Sequence, residues 1–144
     1  MGFFDKVKSA AGSGVARLEV DIRNRPSKRG DVLQALIRVS PGERALDLNY
    51  VRVSFEYEGK WQIPSADGVA IQIEGKARMW WGDIEASKGR KLQPGQPAVE
   101  IPFEWRVPTD GPLSGPDLKY KLWVRADVED MKDPEFSTSF DITG

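Results

Sequence analysis

The sequence contains no cysteine and no histidine. Without cysteine the chain has no disulfide framework, no thiol nucleophile and no thiolate metal site. Without histidine it lacks the side chain that most often transfers protons near neutral pH, and a Ser–His triad and a His-ligated zinc site are excluded. Both absences favour a binding protein over an enzyme, and we predict no catalytic residues, no cofactor and no metal.

Long apolar runs and an excess of charge of one sign are absent as well. No segment approaches the ~20 apolar residues that a membrane-spanning helix needs, and the start lacks the basic-then-apolar pattern of a signal peptide. The 21 basic and 22 acidic residues leave a net charge of -1, whereas nucleic-acid-binding domains usually have a strongly basic face. We therefore expect a cytoplasmic protein that does not bind nucleic acid.

Apolar residues instead recur at every second position in about seven segments, and turn residues such as Pro and Gly separate these segments. This pattern is typical of an antiparallel, immunoglobulin-like β-sandwich, and the 144 residues suit one domain. Between residues 46 and 57 the apolar positions change parity at Asn49 and Tyr50, which predicts a bulge or bend in a long strand. The Glu-Gly-Lys sequence at 58–60 is expected to end this strand in a turn.

The N-terminus has a different period. Phe3, Phe4, Val7, Ala10 and Ala11 recur at helical spacing, which predicts a short amphipathic helix, and the Gly-Ser-Gly sequence that follows would end it. We accordingly divide the chain into a helix and joint (1–14) and a sandwich (15–144). Such a short helix is unstable alone. Its Phe3, Phe4 and Val7 would contact a protein partner or pack back on the sandwich, and a membrane surface is the less favoured alternative.

The stretch from residue 92 to residue 128 resembles the N-terminal domain of the arrestin family. The shared elements are a turn glycine, a Phe-x-aromatic strand, an aliphatic-Pro pair, a Pro-x-Ser turn and an aliphatic-x-Tyr-x-aliphatic strand start. Here they are Gly95, Phe103–Trp105, Val107–Pro108, Pro112–Ser114 and Leu118–Leu122.

The start of the chain, "MGFFDKVKSAAGSGVARLEVDI", is similar to that of the bacterial sporulation-control branch of the same family, called SpoOM. The resemblance implies an arrestin-like sandwich and a non-enzymatic adaptor or scaffold role. Members of the family usually have two sandwiches, whereas this sequence provides one. Receptor binding and activation by phosphate are therefore not expected to carry over.

Five tryptophans offer candidate contact surfaces. Trp105 shares the parity of Phe103 and should face inward, whereas Trp123 has the opposite parity to Leu122 and Val124 and should face outward. Trp80 and Trp81 are adjacent and should point to opposite faces. Exposed aromatic side chains suit a protein contact, so we select Trp80, Trp81 and Trp123 as partner-binding candidates. A covered face, a homodimer contact and a carbohydrate platform are the alternatives.

Two charged segments remain. The turn after the first sandwich strand carries four basic residues that could bind an anionic group, although a solvated turn is the favoured interpretation; these are Arg23, Arg25, Lys28 and Arg29. The acidic loop 127–135 could hold calcium but lacks EF-hand spacing. The sequence thus predicts a protein-interaction adaptor, with a carbohydrate-binding module and a self-assembling protein as alternatives.

Overall fold

A computed structural model describes residues 5–10, 16–84 and 90–144. Within these ranges all regular secondary structure is β-strand, as expected for alternating sequences rich in β-branched and aromatic residues. The strands are β1 (Asp5–Ala10), β2 (Arg17–Asn24), β3 (Val32–Ser40), β4 (Leu46–Pro64), β5 (Ala70–Ile84), β6 (Arg90–Leu92), β7 (Val99–Arg106), β8 (Leu118–Val128) and β9 (Glu135–Phe140).

The strands form two antiparallel sheets that pack face to face. Sheet A has the order β1-β2-β3-β7, and sheet B has the order β5-β4-β8-β9 with β6 also paired to β4. Strand β9 packs over β1 and β2 at one side. At the other side Trp80 of β5 lies 5.8 Å from Phe103 of β7, measured between ring centroids. The predicted all-β sandwich is confirmed.

The core lies between the sheets and follows the predicted alternation. In β2 the apolar set Leu18, Val20 and Ile22 is buried, and β8 buries every second residue from Leu118 to Val128. Aromatic rings join the sheets: Phe55 of β4 is fully buried and stacks on Trp105 of β7 at 3.8 Å between centroids. Trp105 therefore faces inward, as the sequence predicts.

The predicted N-terminal helix is wrong over the residues that the structure describes. Residues Asp5–Ala10 form β1, in which Asp5 pairs with Ile22 and Val7 with Val20. Pairing satisfies the backbone groups on the open edge of β2, whereas a helix of this length gains too few hydrogen bonds to be stable. Phe3, Phe4 and the boundary at residues 14 and 15 lie outside the described residues.

Two further differences concern the strands. The structure contains β1 and β6 in addition to the seven expected strands. Strand β4 also continues through Gly59 to Pro64, although the Glu-Gly-Lys sequence suggested its end. The predicted irregularity near Asn49 is confirmed, because the register with β8 shifts between Leu48 and Tyr50. In the described part of the chain, no helix could cross a membrane.

Candidate functional site

The β4–β5 hairpin projects beyond the rest of sheet B. Gly59 is the last residue of β4 that pairs with β8, opposite Leu118, and the backbone N–H of Lys60 donates a hydrogen bond of 2.8 Å to the carbonyl of Asp117. Beyond this point the named strands β4 and β5 pair only with each other, as far as the described residues show. We call residues 60–74 the arm.

The tip of the arm is held by local hydrogen bonds. The backbone N–H of Ser65 donates to the carbonyl of Val69 at 3.2 Å, and the Asp67 carboxylate accepts from the Val69 N–H at 3.1 Å. The Ser65 hydroxyl also donates to this carboxylate. The hydrogen bond from the Ser65 hydroxyl and, to a smaller extent, that from the Val69 backbone lower the pKa of the Asp67 carboxyl. The arm is therefore a defined hairpin.

One face of the arm is an apolar ladder. Trp61 pairs with Ile73 and Ile63 pairs with Ile71, so the four side chains lie on the same face of the hairpin. The Trp61 ring packs edge-on against Tyr57 at 4.9 Å, which continues the ladder toward the core. Ile63 and Ile71 are 42% and 47% exposed, and Val69 at the tip is 64% exposed. The ladder is thus half-buried at Trp61 and Ile73 and exposed at Ile63, Ile71 and the tip.

Trp61 and Ile63 of the ladder line a groove of about 520 Å³, whose lining also includes the charged residues Arg78 and Asp110. Tyr57, Trp61 and Ile63 line the arm side, and the β7–β8 loop lines the other side with Pro108 and Pro112. The loop is fixed from below, because the buried Tyr120 hydroxyl donates a hydrogen bond of 2.6 Å to the carbonyl of Pro112. Burial, as the largest cause, raises the pKa of Tyr120 to about 12, so this hydroxyl remains a donor at neutral pH.

The tryptophan candidates do not form one surface. Trp80 lies at the β5–β7 side of the sandwich against Phe103 and is 37% exposed. Trp123 pairs with Ser54 on the outer face of sheet B, where the Arg125 guanidinium lies 5.4 Å from its ring centroid. Trp81 occupies the register position opposite Ser54 in β5. Trp123 therefore faces outward, as predicted, and Trp80 belongs to a different face.

A small polar pocket adjoins Trp123. Its lining combines Trp123 with Ser54, Glu56, Lys76 and Lys121. Ser54 is only 2% exposed, and its hydroxyl has no hydrogen-bond partner among the described residues. The pocket therefore places a buried hydroxyl, a carboxylate and two ammonium groups beside an aromatic ring.

The basic turn contacts its own fold. Arg25 donates to the carbonyl of Ser139 at 2.9 Å, and Arg29 donates to the carbonyls of Gly144 and Gly111, each at 3.2 Å. These guanidinium groups tie the β2–β3 turn to β9 and to the β7–β8 loop.

The other two basic residues of the turn are exposed. Arg23 lies 3.8 Å from the Asp21 carboxylate, and the backbone N–H of Lys28 donates to Asp31 at 3.0 Å. Hydrogen bonds from the backbone of Ser27, then from that of Lys28, lower the pKa of Asp31. Anion binding by Arg23, Arg25, Lys28 and Arg29 stays a prediction.

Val7 and the acidic loop 127–135 are the remaining candidates from the sequence. Val7 occupies a register position in β1 opposite Val20, on the edge of sheet A away from the arm. In the acidic loop, Asp133 accepts a hydrogen bond of 2.9 Å from the Val128 N–H. Within the described ranges, no three acidic side chains are grouped so that they could hold a metal ion.

The arm was missed by sequence reasoning. Its signals were present: Ile71 and Ile73 alternate with polar residues, and Trp61 and Ile63 do the same on the other strand. The Glu-Gly-Lys sequence indicates a turn at Gly59, whereas the structure has this residue within β4. A pairing of the two short alternating segments across the intervening turn would have found the hairpin.

The fold defines the class of the protein: two antiparallel sheets with this strand order form an arrestin-like β-sandwich. The model of the SpoOM protein family matches residues 4–138, and the chain belongs to this family. The structure is similar to the crystal structure of Spo0M, a sporulation control protein from Bacillus subtilis, with a TM-score of 0.70 and 17% sequence identity.

The alignment with the Bacillus subtilis structure covers 91% of this chain but 50% of that chain. This chain therefore spans about half the length of the solved relative. At this identity the likeness shows the fold alone. No curated protein matches the sequence.

Proposed function

We propose that this chain is a non-enzymatic, cytoplasmic adaptor module that binds an extended apolar segment of a protein partner in the groove beside the arm. The observation that carries the proposal is the apolar ladder of Trp61, Ile63, Ile71 and Ile73, which projects from the sandwich with Ile63 and Ile71 exposed and Trp61 and Ile73 half-buried. Apolar surfaces that remain exposed on a soluble domain commonly mark interaction sites.

The groove has the chemistry of a peptide site. Tyr57 and Trp61 provide rigid aromatic area, and Pro108 and Pro112 face them from a loop that Tyr120 holds in place. Rigid aromatic residues are the usual anchors of protein contacts because they bury much area and lose little conformational entropy. The other face of the arm carries the exposed polar residues Lys60, Gln72 and Glu74.

The proposal is tested with the full chain as bait. Proteins retained from the native lysate are identified, and each is purified and titrated calorimetrically against the full chain, a Trp61→Ala variant and a Phe3→Ala, Phe4→Ala double variant. We expect Trp61→Ala to weaken binding by at least about tenfold, as for an aromatic anchor.

A Trp123→Ala variant is the matched control, because Trp123 lies on the outer face of sheet B and not in the groove. Equal binding by the full chain and Trp61→Ala would overturn the groove as the site. Loss of binding only in the Phe3→Ala, Phe4→Ala double variant would move recognition to these N-terminal candidates.

A second candidate function is carbohydrate binding on the outer face of sheet B. It is favoured by the pocket in which Trp123 adjoins the buried Ser54 hydroxyl, Glu56 and Lys121, because a sugar ring stacks on an aromatic face while hydroxyl and charged groups bind its edge. Arg125 already lies over the Trp123 ring, which leaves only the opposite ring face for such a ligand.

Tryptophan fluorescence titrations with a panel of soluble polysaccharides distinguish this function. A saturable shift that Trp123→Ala removes and Trp61→Ala retains would support it. No saturable shift with any polysaccharide would contradict it and leave the groove as the binding site.

A further inference from the structure

Strand β5 is the terminal strand of sheet B, and its outer edge has no strand partner among the described residues. The edge is fifteen residues long and includes the exposed Ile71 and Trp80. A long edge with apolar side chains presents unpaired N–H and C=O groups and is a template for pairing with another chain. The question is which strand fits it.

We propose that the partner of β5 is the same strand of a second copy, paired antiparallel about a two-fold axis at Gly75. In this register Glu74 lies opposite the partner's Lys76, and symmetry repeats the pair with the signs exchanged. Opposite charges directly across an antiparallel pair stabilise it, and like charges destabilise it. The charges of β5 are therefore complementary to those of β5 itself.

The apolar residues match in the same register. Ile73 lies opposite the partner's Ala77, and Ile71 lies opposite the partner's Met79. These side chains belong to the inner face, since Ala77 pairs with Tyr57 and Met79 packs against the core. A strand must match on both faces at once because its side-chain period is two. Here the polar face meets a polar face and the apolar face meets an apolar face.

The charge pattern also continues into β4. Within one copy Glu74 pairs with Lys60, and Lys76 pairs with Glu58. Across the two-fold axis the row therefore reads Lys60, Glu74, the partner's Lys76 and the partner's Glu58, with alternating sign throughout. Lys76 is more than half exposed, and its ammonium group lies 3.8 Å from Glu56 of β4, so pairing with the partner's Glu74 requires this side chain to turn toward the outer edge.

Each neighbouring register brings like charges directly opposite each other. Moving the axis by one residue toward the N-terminus places Glu74 opposite its own copy and removes both attractive pairs. Moving it one residue the other way places Lys76 opposite its own copy, although Glu74 then lies opposite the partner's Arg78. Of these three registers, only the one about Gly75 has no like charges directly opposite each other.

Gly75 suits the axis position. Its φ is +144°, and a Cβ placed there would meet no atom within 4 Å. Glycine within a strand often marks a place where another backbone approaches closely. At the axis the two glycine backbones would face each other without intervening side chains.

The charged pair gives self-association a test of its own, because Glu74 and Lys76 lie outside the groove lining, whereas Ala77 and Met79 belong to both surfaces. The test is sedimentation velocity on the full chain over a range of concentrations. We expect a dimer, and we expect Glu74→Lys and Lys76→Glu each to raise the dimer dissociation constant by roughly tenfold or more. The double variant that carries both changes exchanges the charges across the axis and should restore the dimer in part, because it also places like charges opposite Lys60 and Glu58 within each copy.

Glu135→Lys is the matched control, since it reverses an exposed charge on β9, at the opposite edge of the same sheet. It should leave the dissociation constant unchanged. A wild-type chain that stays monomeric at high concentration would overturn the proposal. A dimer that the single reversals leave intact, or that the double variant does not restore, would overturn this register.

A crosslinking measurement covers the case in which a charge reversal impairs folding. The chain has no cysteine, so a mixture of Glu74→Cys and Lys76→Cys proteins can form only the introduced disulfide. Directly opposite Cβ atoms in a sheet lie within about 5.5 Å, close to disulfide geometry. Mild oxidation should crosslink the mixture more strongly than either variant alone. Equal crosslinking in all three samples would contradict the register.

Discussion

The hydroxyl of Tyr120 and the carbonyl of Pro112 are joined by a hydrogen bond of 2.6 Å that links β8 to the loop before it. Tyr120 is fully buried, and Gly111 leaves the space that its hydroxyl occupies: a Cβ at Gly111 would lie 2.7 Å from that oxygen. The hydrogen bond therefore holds Pro112 in position as a wall of the groove. The position of this wall of the groove thus depends on a residue of the core.

Replacing Tyr120 by Phe should reduce the free energy of unfolding by about 1–3 kcal/mol, because the Pro112 carbonyl loses its donor while the ring remains in the core. Urea denaturation followed by tryptophan fluorescence measures the change. Tyr50→Phe is the matched control, since the Tyr50 ring is only partly buried and contacts Arg52 through its face. Equal stability of Tyr120→Phe and the wild type would show that the hydrogen bond contributes nothing.

The same residue predicts a loss of stability in alkali. The folded protein raises the pKa of Tyr120 from 10.0 to about 12, with burial as the main cause. Between these values the folded state holds a proton that the unfolded state has released, so stability falls as the pH rises. The contribution is fully present below about pH 10 and is lost as the pH approaches 12. Denaturant midpoints measured from pH 8 to pH 11.5 should show this loss in the wild type and less of it in Tyr120→Phe.

Gly59 and Gly75 are register partners at the base of the arm, and both have positive φ. A Cβ at Gly59 would lie 1.8 Å from the carbonyl oxygen of Asp117, whereas one at Gly75 meets open space. We therefore expect Gly59→Ala to cost about 4 kcal/mol or to prevent folding, because the clash is with backbone. Gly75→Ala should cost only about 1–2 kcal/mol of conformational strain.

Thermal or urea unfolding of the two glycine variants measures the difference. A similar cost for both would indicate that the positive φ alone, and not the contact with Asp117, makes glycine necessary at position 59.

Much of the sandwich could be predicted from the sequence, because one buried face imposes alternation. Leu18, Val20 and Ile22 of β2 all lie in the core, as their spacing predicts. The change of parity at Asn49 also corresponds to a real shift of register in β4. In each case the local pattern and the tertiary packing require the same backbone.

The rest depended on information that the local pattern does not contain. Residues 5–10 have a spacing compatible with a helix, but the open edge of β2 provides hydrogen bonds that an isolated helix of this length cannot match. Glu58-Gly59-Lys60 is a turn sequence by composition, yet Gly59 lies within β4, has a positive φ and lies against the Asp117 carbonyl. Because β4 continues through Gly59, it can pair with β5 to form the arm.

Arg25 and Arg23 of the basic turn contact different groups. Arg25 donates hydrogen bonds to the Ser139 carbonyl and, at 3.3 Å, to the Thr138 hydroxyl, whereas the exposed Arg23 guanidinium lies 3.8 Å from the Asp21 carboxylate. We expect Arg25→Ala to lower the free energy of unfolding by about 1 kcal/mol or more, since the turn loses its attachment to β9. Arg23→Ala should change it by less than about 0.5 kcal/mol, as for most surface residues.

Phosphate titrations of the same two variants separate a structural role from anion binding. If the turn binds an anion, added phosphate should stabilise the wild type more than Arg23→Ala and Arg25→Ala, because a ligand stabilises only the state that binds it. If the turn serves only as an attachment, phosphate should shift all three proteins equally, and only Arg25→Ala should be less stable throughout. An unchanged stability of Arg25→Ala in the absence of phosphate would contradict the attachment itself.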